Sequence, residues 1–580
     1  MFKYRKRVFA ATAAVALAAG LAACGGGSSG NGSGNGTSEP TSEAKGGDLL
    51  YYLYTPIEHL DPQRVYVGRD ITNLSRTVYR TLVAFPISND PEVANTPVAD
   101  LATDTGTSTE GGKTWSFTVK DGVKWEDGQP VTCDDFKYGA SRAFATDVIT
   151  GGPNYILSYL DIPTDPKTGL PAYTGPYTGK GQDLFDKAVT CDGNTITYHF
   201  NKPWPDFPLA IAGLHMMDPY RQDKDQGDKS NYQIFSNGPY RLDGAWNKNK
   251  GGTLVRNENY DESTDSPELR KALPETIEFQ IGLTPENQYD RLIADTDPNA
   301  ITGTSVPPAY YSQIEGPIAD RSVLVDSPYV YYLVPNFRSP VMKDPAVRQA
   351  LAVSTNSDAY NVALGGDKAG SPAESIVSPA VVGYQENPAF SGSNSGDPEA
   401  AKKILQDAGV SMPVKIKFTY PTSETADKWA AALKETWDQA GFDVTLDGLG
   451  DTYYTVIQKP DKDSDVMWGG WGADWPSAIT VTPPLFDSRP NLTAASDGQD
   501  YGAYDSDEFN KLVDEAANAS DLDAQTAALQ QADELLGQDV AYIPLSITKF
   551  YMLHGSKVTN YTTTPASNGY PDLGAIGVES

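Results

Sequence analysis

The sequence predicts an α/β fold, because segments with strand and helix patterns alternate along most of its 580 residues. The clearest unit is a helix pattern at 422–440 that lies between strand patterns at 415–420 and 442–446. Parallel neighbours in a sheet need a crossover connection, and a helix of this length supplies one. We therefore expect a sheet with parallel strands in this part of the chain.

The other elements are predicted by strand alternation and by helix-capping residues. Asp-Pro pairs at 344–345 and 397–398 supply an N-cap and a first helical residue, and 132–135 resembles a capping box. In chain order, the predictions are a strand at 114–119, a helix at 132–144, a strand at 195–200, helices at 345–354 and 400–408, and a helix at 523–536 that leads into a strand at 541–545.

Length and charge limit the classes of protein to be considered. A chain of 580 residues is too long for one core, and about three domains would be an ordinary number. The formal net charge of −31 argues against nucleic acid or an anionic membrane surface as a partner. The simplest interpretation of this negative charge is that it keeps the protein soluble. The other interpretation is a preference for cationic ligands.

The N-terminus has the features of an export signal. A basic start is followed by an apolar run at 8–21, which is too short for a comfortable membrane span. The tetrad LAAC that ends at Cys24 resembles a bacterial lipobox, and the Gly/Ser-rich stretch after it predicts a flexible tether. We expect a signal peptide at 1–23, a tether at 24–47 and a lipoprotein that carries palmitate at Cys24. An ordinary signal peptide without lipid is the alternative.

Two further cysteines remain after the predicted lipidation site. Exported chains that keep two cysteines usually pair them, so we predict a disulfide between Cys133 and Cys191. Free buried thiols are the alternative. The four histidines do not form a metal-binding pattern, and we expect neither a metal site nor a cofactor.

Two segments resemble a catalytic or a metal-binding motif, but the residues around or within them do not fit the motif. The GGSSG run at 26–30 matches a nucleophile elbow only formally, because neither a strand nor a helix flanks it. The alternating aspartates at 461–465 lack the glycine and the glutamate of a calcium loop. We therefore expect a protein that is not an enzyme.

The stretch MWGGWGADWP at 467–476 concentrates three tryptophans, three glycines and one aspartate in ten residues. One interpretation is a loop whose indoles fill a core. The other is a binding wall in which Asp474 is the single charged anchor.

Seven segments occur in an order that resembles the extracellular solute-binding proteins of family 5, which serve oligopeptide and dipeptide ABC importers. The segments are LDP at 60–62, KTWSFTVKDGVKWEDGQPVTCDDF at 113–136, NGPY at 237–240, NENY at 257–260, NF at 336–337, VRQA at 347–350 and GWGAD at 470–474. The resemblance covers essentially all of the chain after the tether.

This resemblance implies a type II periplasmic-binding-protein-like fold with two lobes, an extra domain and a discontinuous first lobe. Ligand would lie between lobes that close by a hinge. The implied ranges are 48–85, 210–308 and 540–580 for lobe I, 86–209 for the extra domain and 309–539 for lobe II.

The resemblance also implies a function and a site. The protein would capture peptides and deliver them to the permease subunits of an ABC importer. It would act as a monomer on the outer face of the cytoplasmic membrane, and only its lipid anchor would touch the membrane. Asp474 would pair with the α-ammonium group of the peptide. The other residues predicted to bind ligand are Trp468, Gly470, Trp471, Trp475 and Asn336.

Three alternatives remain open at this point. Tryptophan stacking suits sugars, so the same fold could bind an oligosaccharide or another solute. A structural or adhesion lipoprotein and a hydrolase are the less favoured alternatives.

Overall fold

Three β-sheets carry most of the strands in the computed structural model, which describes residues 45–579 except 153–154, 167–168 and 393. The first sheet has the strand order Ala300–Thr302, Asp48–Leu53, Thr276–Ile281, Gly251–Arg256 and Tyr240–Asn247. The second has the order Gly370–Ser371, Ile543–Leu553, Ser322–Pro335, Val466–Gly472, Val414–Pro421 and Phe442–Leu449. The third has the order Thr107–Thr109, Thr114–Thr118, Thr195–His199 and Val189–Asp192.

Helices cover the sheets and connect their strands. Those of seven residues or more are Gly68–Thr77, Cys133–Arg142, Gln182–Ala188, Phe207–Gly213, Pro285–Ile293, Pro345–Ser354, Ser357–Leu364, Pro398–Asp407, Glu424–Gln439, Asp507–Ala517 and Leu522–Gln538. Shorter helices are Pro91–Ala94, Tyr155–Tyr159, Tyr453–Ile457, Thr482–Phe486 and Ser488–Asn491. The predicted signal peptide at 1–23 and the predicted lipidation residue Cys24 lie outside the described residues.

The predicted strand–helix–strand unit is confirmed. Val414–Pro421 pairs in parallel with Phe442–Leu449, and the helix Glu424–Gln439 connects them. That helix buries Trp429 and Trp437 against the sheet, which explains the apolar face of the sequence pattern.

The predicted helix starts are also confirmed at their capping residues. Asp344 accepts a hydrogen bond from the N–H of Ala346, and Asp397 accepts one from Ala400, each at 2.9 Å. The predicted strand at 541–545 is longer in the structure and runs through Ile543–Leu553. Its second half is only half-buried from Ile547 to Phe550, so the hydrophobic run that marks a buried strand is interrupted there.

Hydrophobic clusters lie on both faces of the second sheet. One cluster contains Leu333 and Val466, and the other contains the neighbouring residues Val334 and Met467. This alternation follows from the two-residue period of a strand that is covered on both sides. A third cluster joins the first and third sheets.

The domain boundaries stay a prediction. The strand Ile543–Leu553 lies in the range predicted for lobe I, but it pairs along Ser322–Pro335 in the second sheet. The register of this pair shifts between Asp326 and Val330. A strand from the range predicted for lobe I thus lies in the same sheet as a strand from the range predicted for lobe II.

Cys133 and Cys191 form a disulfide in the structure, with their Cα atoms 5.9 Å apart. Cys133 begins the helix Cys133–Arg142, and Cys191 lies in the strand Val189–Asp192 of the third sheet. The bridge therefore ties this helix to the edge of the third sheet.

We expect protein that is purified without reductant and then denatured to lack two hydrogens in intact mass and to resist alkylation at Cys133 and Cys191. The bridge closes a loop of 58 residues in sequence separation. Its chain-entropy contribution to the free energy of unfolding is on the order of 4 kcal/mol. Two alkylatable thiols at these positions would contradict the assignment.

Candidate functional site

The stretch that concentrates the tryptophans is largely a strand, Val466–Gly472, which we call the tryptophan strand. It pairs antiparallel with Ser322–Pro335, and its three glycines lie opposite three tyrosines. The pairs are Gly469 with Tyr332, Gly470 with Tyr331, and Gly472 with Tyr329.

Glycine is needed at these positions because the tyrosine rings cover them. A Cβ atom on Gly470 would lie 2.9 Å from Cδ1 of Tyr331, and one on Gly472 would clash with the ring of Tyr329. The space that a side chain would fill is thus taken by an aromatic ring from the next strand.

Trp468 and Trp471 point to opposite faces of the sheet, and both are half-buried. The Trp468 ring lies 4.9 Å from the ring of Tyr331, and its indole N–H donates to the hydroxyl of Tyr360 at 3.0 Å. The Trp471 N–H donates to the carbonyl of Thr480 at 2.8 Å. Each indole therefore packs in part against the protein interior.

Asp474 lies two residues after the end of this strand and contacts two tyrosines that are distant in sequence. The hydroxyl of Tyr66 donates to Oδ1 at 2.6 Å, and the hydroxyl of Tyr155 donates to Oδ2. The main-chain N–H of Asp474 donates to Oγ1 of Thr480 at 3.1 Å. The loop thus holds the carboxylate in one position.

The Asp474 carboxylate has no cationic partner among the described residues. Burial raises its pKa above the usual range of aspartate, and the hydrogen bonds from Tyr155 and Tyr66 oppose that rise. A desolvated carboxylate without a counter-ion favours the binding of a cation.

Trp475 is buried and is one of the residues that line a small cavity beside Asp474. It is 3% exposed, and its indole N–H donates to the carboxylate of Asp206. Its ring meets the edge of Tyr155 at 4.7 Å. All other fully buried members of its hydrophobic cluster lie outside 309–539, so Trp475 crosses the predicted boundary between the lobes.

A cavity of about 40 Å³ lies beside Asp474. Ile71 and Ser75 line one side, and Pro328 and Val381 line another. This volume suits a few water molecules, whereas small-molecule sites usually occupy several hundred Å³. A larger ligand therefore needs the contacts across this cleft to separate.

Asn336 lies at the other end of the strand pair from Asp474. It is 3% exposed, and its amide donates to the carbonyl of Ser464 at 2.7 Å. Its side-chain oxygen accepts the N–H of Arg338 at 3.0 Å. The structure thus brings Asp474 and Trp475 together, with Trp471 joined through Thr480 and with Gly470 and Trp468 further along the strand, but it does not bring Asn336 to them.

Tyr66, Tyr155 and Asp206 are the site residues that the sequence pattern misses. Tyr66 and Tyr155 are 408 and 319 residues from Asp474 along the chain. With 33 tyrosines in the sequence, nothing distinguishes these two before the chain is folded.

The described residues contain no group of three or more His, Cys, Asp or Glu side chains arranged to hold a metal ion. None of the helices in the described ranges has the length and the apolar character needed to cross a bilayer.

Comparison with known sequences identifies relatives over most of the chain. The profile of the bacterial extracellular solute-binding proteins, family 5 (middle region), matches residues 96–493. The oligopeptide-binding protein OppA of Bacillus subtilis is 25% identical over 473 residues, which are 77% of this chain and 79% of that protein. The periplasmic oligopeptide-binding protein OppA of Salmonella typhimurium is 26% identical over 504 residues, with coverage of 84% and 85%.

Solved structures show the same fold. The clavulanic acid biosynthesis oligopeptide binding protein 2 superposes with a TM-score of 0.81 and 26% identity over 93% of this chain and 97% of that one. The unliganded open form of the murein tripeptide binding protein MppA gives a TM-score of 0.72 at 20% identity, with coverage of 93% and 98%. The predicted fold class, a two-lobed periplasmic-binding-protein fold, is confirmed. Because the family profile matches more than half of the sequence, the chain belongs to the bacterial extracellular solute-binding proteins of family 5.

Proposed function

We propose that this protein binds peptides between its lobes and delivers them to the permease of an ABC importer. The observation that carries the proposal is the half-buried carboxylate of Asp474, which is held by Tyr66 and Tyr155 and has no cationic partner among the described residues. A peptide brings a free α-ammonium group, which is the complementary charge. OppA relatives with oligopeptide-binding names support the same ligand class.

The edge of the tryptophan strand supports a peptide over other cations. Its ladder with Val414–Pro421 covers only Val466 and Met467, so Trp468–Gly472 has no strand partner on that side within the part of the chain that the structure describes. The hydroxyl of Tyr453 satisfies the carbonyl of Trp468 at 2.5 Å. An extended peptide can pair its main chain with such an edge, which gives affinity without fixing the side chains.

The contacts across the cleft support a hinge mechanism. Asp474 and Trp475 reach Tyr66, Tyr155 and Asp206 through three side-chain hydrogen bonds. Such directional contacts can close and open as the lobes rotate, and a ligand that bridges the lobes favours closure.

The tryptophans give less support to an oligosaccharide. A sugar platform needs an exposed ring face, whereas Trp475 is buried and Trp468 and Trp471 are half-buried with satisfied N–H groups. The oligosaccharide is therefore the competing outcome of the test.

In this proposal the protein is a monomer that is lipidated at Cys24 and anchored to the outer face of the cytoplasmic membrane. The LAAC tetrad and the Gly/Ser-rich tether support the anchor. The protein would contact the membrane only through this lipid and would meet the permease through its lobes.

A thermal-shift comparison of two ligand pools tests the proposed ligand class. A pool of tri- to pentapeptides should raise the melting temperature of the mature protein, because a ligand that binds only the folded state stabilises it by about 2.7 kcal/mol at a hundred times its Kd. Cello- and chito-oligosaccharides at matched concentrations serve as the control. Mass spectrometry should recover the bound peptide unaltered. Stabilisation by the sugars and not by the peptides would overturn the proposal.

A further inference from the structure

The helix Phe207–Gly213 begins at an aspartate that does not cap it. Asp206 occupies the N-cap position, where aspartate usually accepts a hydrogen bond from the first helical turn, but its side chain makes no such bond. Its Oδ2 accepts the indole N–H of Trp475, which lies 269 residues away in the range predicted for lobe II. Asp206 lies in the range predicted for the extra domain, so its carboxyl group joins two predicted domains.

This contact is buried on both sides and carries no compensating charge. Asp206 is 1% exposed, and its Oδ1 has no hydrogen-bond partner among the described residues. The same holds for Oε1 of the buried Gln525 within those ranges. No lysine, arginine or histidine in the described part of the chain forms an ion pair with Asp206. A carboxyl group in such surroundings is more stable in its protonated form.

The titratable groups beside this contact do not supply the missing positive charge. Burial, followed by the charge of Asp206, raises the pKa of Tyr159, so this phenol is neutral. The Nζ of Lys202 lies 4.1 Å from the centroid of the Tyr159 ring instead of at the carboxylate. Asp521 and Asp523 begin the helix that packs against Asp206, and both are exposed acids. Burial therefore dominates and raises the pKa of Asp206, against the hydrogen bonds that it accepts.

Trp475 connects Asp206 to Asp474, the other acid at this contact. The ring centroids of Trp475 and Tyr155 are 4.7 Å apart, and the hydroxyl of Tyr155 donates to Asp474. A Cβ on Gly213, at the end of the helix that follows Asp206, would lie 3.1 Å from the Cβ of Trp475. This helix therefore contacts Trp475 at its start and at its end, and a change at Asp206 reaches the charged anchor through one side chain.

We propose that Asp206 is a positioning residue that holds Trp475 across the closed cleft while its carboxyl group carries a proton. The inference rests on the proposed closure of the lobes around a peptide. In an open cleft the carboxyl group meets water and ionises with the ordinary pKa of aspartate, about 4. Closing the cleft buries the group and raises this pKa. Closure therefore takes up a proton between the two pKa values and becomes weaker as the pH rises.

Proton uptake during binding tests the inference. Alanine tri- to pentapeptides, which have no titratable side chain, are titrated into the full mature protein at pH 6 in buffers with different heats of ionisation. We expect the unchanged protein to take up a measurable fraction of one proton per peptide, and Asp206→Asn to take up none. The Asn side chain resembles the neutral carboxyl group, so this variant should bind peptide about tenfold more tightly at pH 7. A residue with a merely structural role would instead lose affinity when replaced.

Asp533→Asn is the control, because this aspartate is also buried, has a pKa raised to about 6 and contacts Ser375 and Tyr542 instead of Trp475. It should keep the proton uptake of the unchanged protein. Should Asp206→Asn fail to fold, the uptake by the unchanged protein decides alone. Equal uptake in the unchanged protein and Asp206→Asn would overturn the inference and leave the proposed function standing.

X-ray scattering of the unliganded protein separates this inference from the ligand class. The unchanged protein should become more extended as the pH rises from about 4 to about 7, and Asp206→Asn should do so less. Identical pH profiles would overturn the role of Asp206. The absence of binding by any peptide would overturn the proposed function, and the scattering profiles would still decide on Asp206.

Discussion

Replacing Asp474 with Asn should weaken the binding of a free-amine peptide by two or more decades. The side chain keeps its shape and can still accept a hydrogen bond from Tyr66, but the charge that would face the ammonium group is lost. Removing one partner of a buried ion pair typically costs about 3–5 kcal/mol, and each decade of affinity is about 1.4 kcal/mol. Titration calorimetry with the tightest peptide from the pool measures the change.

The same substitution should not destabilise the unliganded protein. Burial raises the pKa of Asp474, so its ionised form opposes folding at neutral pH, and this cost disappears as the pH falls through the raised pKa. Asn removes the cost at every pH. The thermal stability of Asp474→Asn should therefore equal or exceed that of the unchanged protein at pH 7.

Asp533 provides a control for the loss of an aspartate charge that is hydrogen-bonded to a tyrosine away from the cleft. It also accepts a hydrogen bond from a tyrosine, Tyr542, at 2.7 Å, and burial raises its pKa to about 6. It lies on the helix Leu522–Gln538, in contact with Ser375 and not with the cleft contacts of Asp474. Asp533→Asn should leave peptide affinity unchanged. An equal loss of affinity in both variants would contradict a specific role for Asp474.

The largest loss of stability is expected from Asp61→Asn. The Asp61 carboxylate accepts two hydrogen bonds from Arg142, at 2.8 and 2.5 Å, and both side chains are fully buried. The substitution leaves a buried guanidinium without one of its two carboxylates, because Asp225 alone would remain at 2.9 Å. Breaking such a pair typically costs about 3–5 kcal/mol in the free energy of unfolding.

Denaturant unfolding of Asp61→Asn beside Asp223→Asn measures this effect. Asp223 also pairs with an arginine, Arg221, at 2.8 Å, but its side chain is 55% exposed. An exposed pair is worth about 0–1 kcal/mol, so this control should change stability little. Similar small losses in both variants would show that the buried pair does not hold the LDP segment in place.

The sequence was most informative where local chemistry decides structure. The Asp-Pro helix starts at 344–345 and 397–398 depend on neighbouring residues, and the structure confirms both. The parallel pairing of Val414–Pro421 with Phe442–Leu449 was predictable because one helix, Glu424–Gln439, connects the two strands. The LDP segment at 60–62 was visible as a motif, but its buried partner Arg142 was not, because 81 residues separate them.

The site was only partly predictable for the same reason. Asp474 stood out as the single charge among indoles, yet the roles of its neighbours depend on the strand register. Trp475 looked like a ligand contact in sequence and is buried against Asp206 in the structure. Gly470 was predicted to bind ligand, and the structure places the ring of Tyr331 over it. No local pattern could have identified Tyr66 or Tyr155.

The central claim is that Asp474 binds the free amine of a peptide, and a cycle of four titrations tests it most directly. The tightest peptide of the pool and its N-acetylated form are each titrated into the unchanged protein and into Asp474→Asn. We expect acetylation to weaken binding to the unchanged protein by about 100-fold and to change binding to the variant little, which gives a coupling energy of about 3 kcal/mol. Equal binding of the free and acetylated peptides to the unchanged protein would contradict the account.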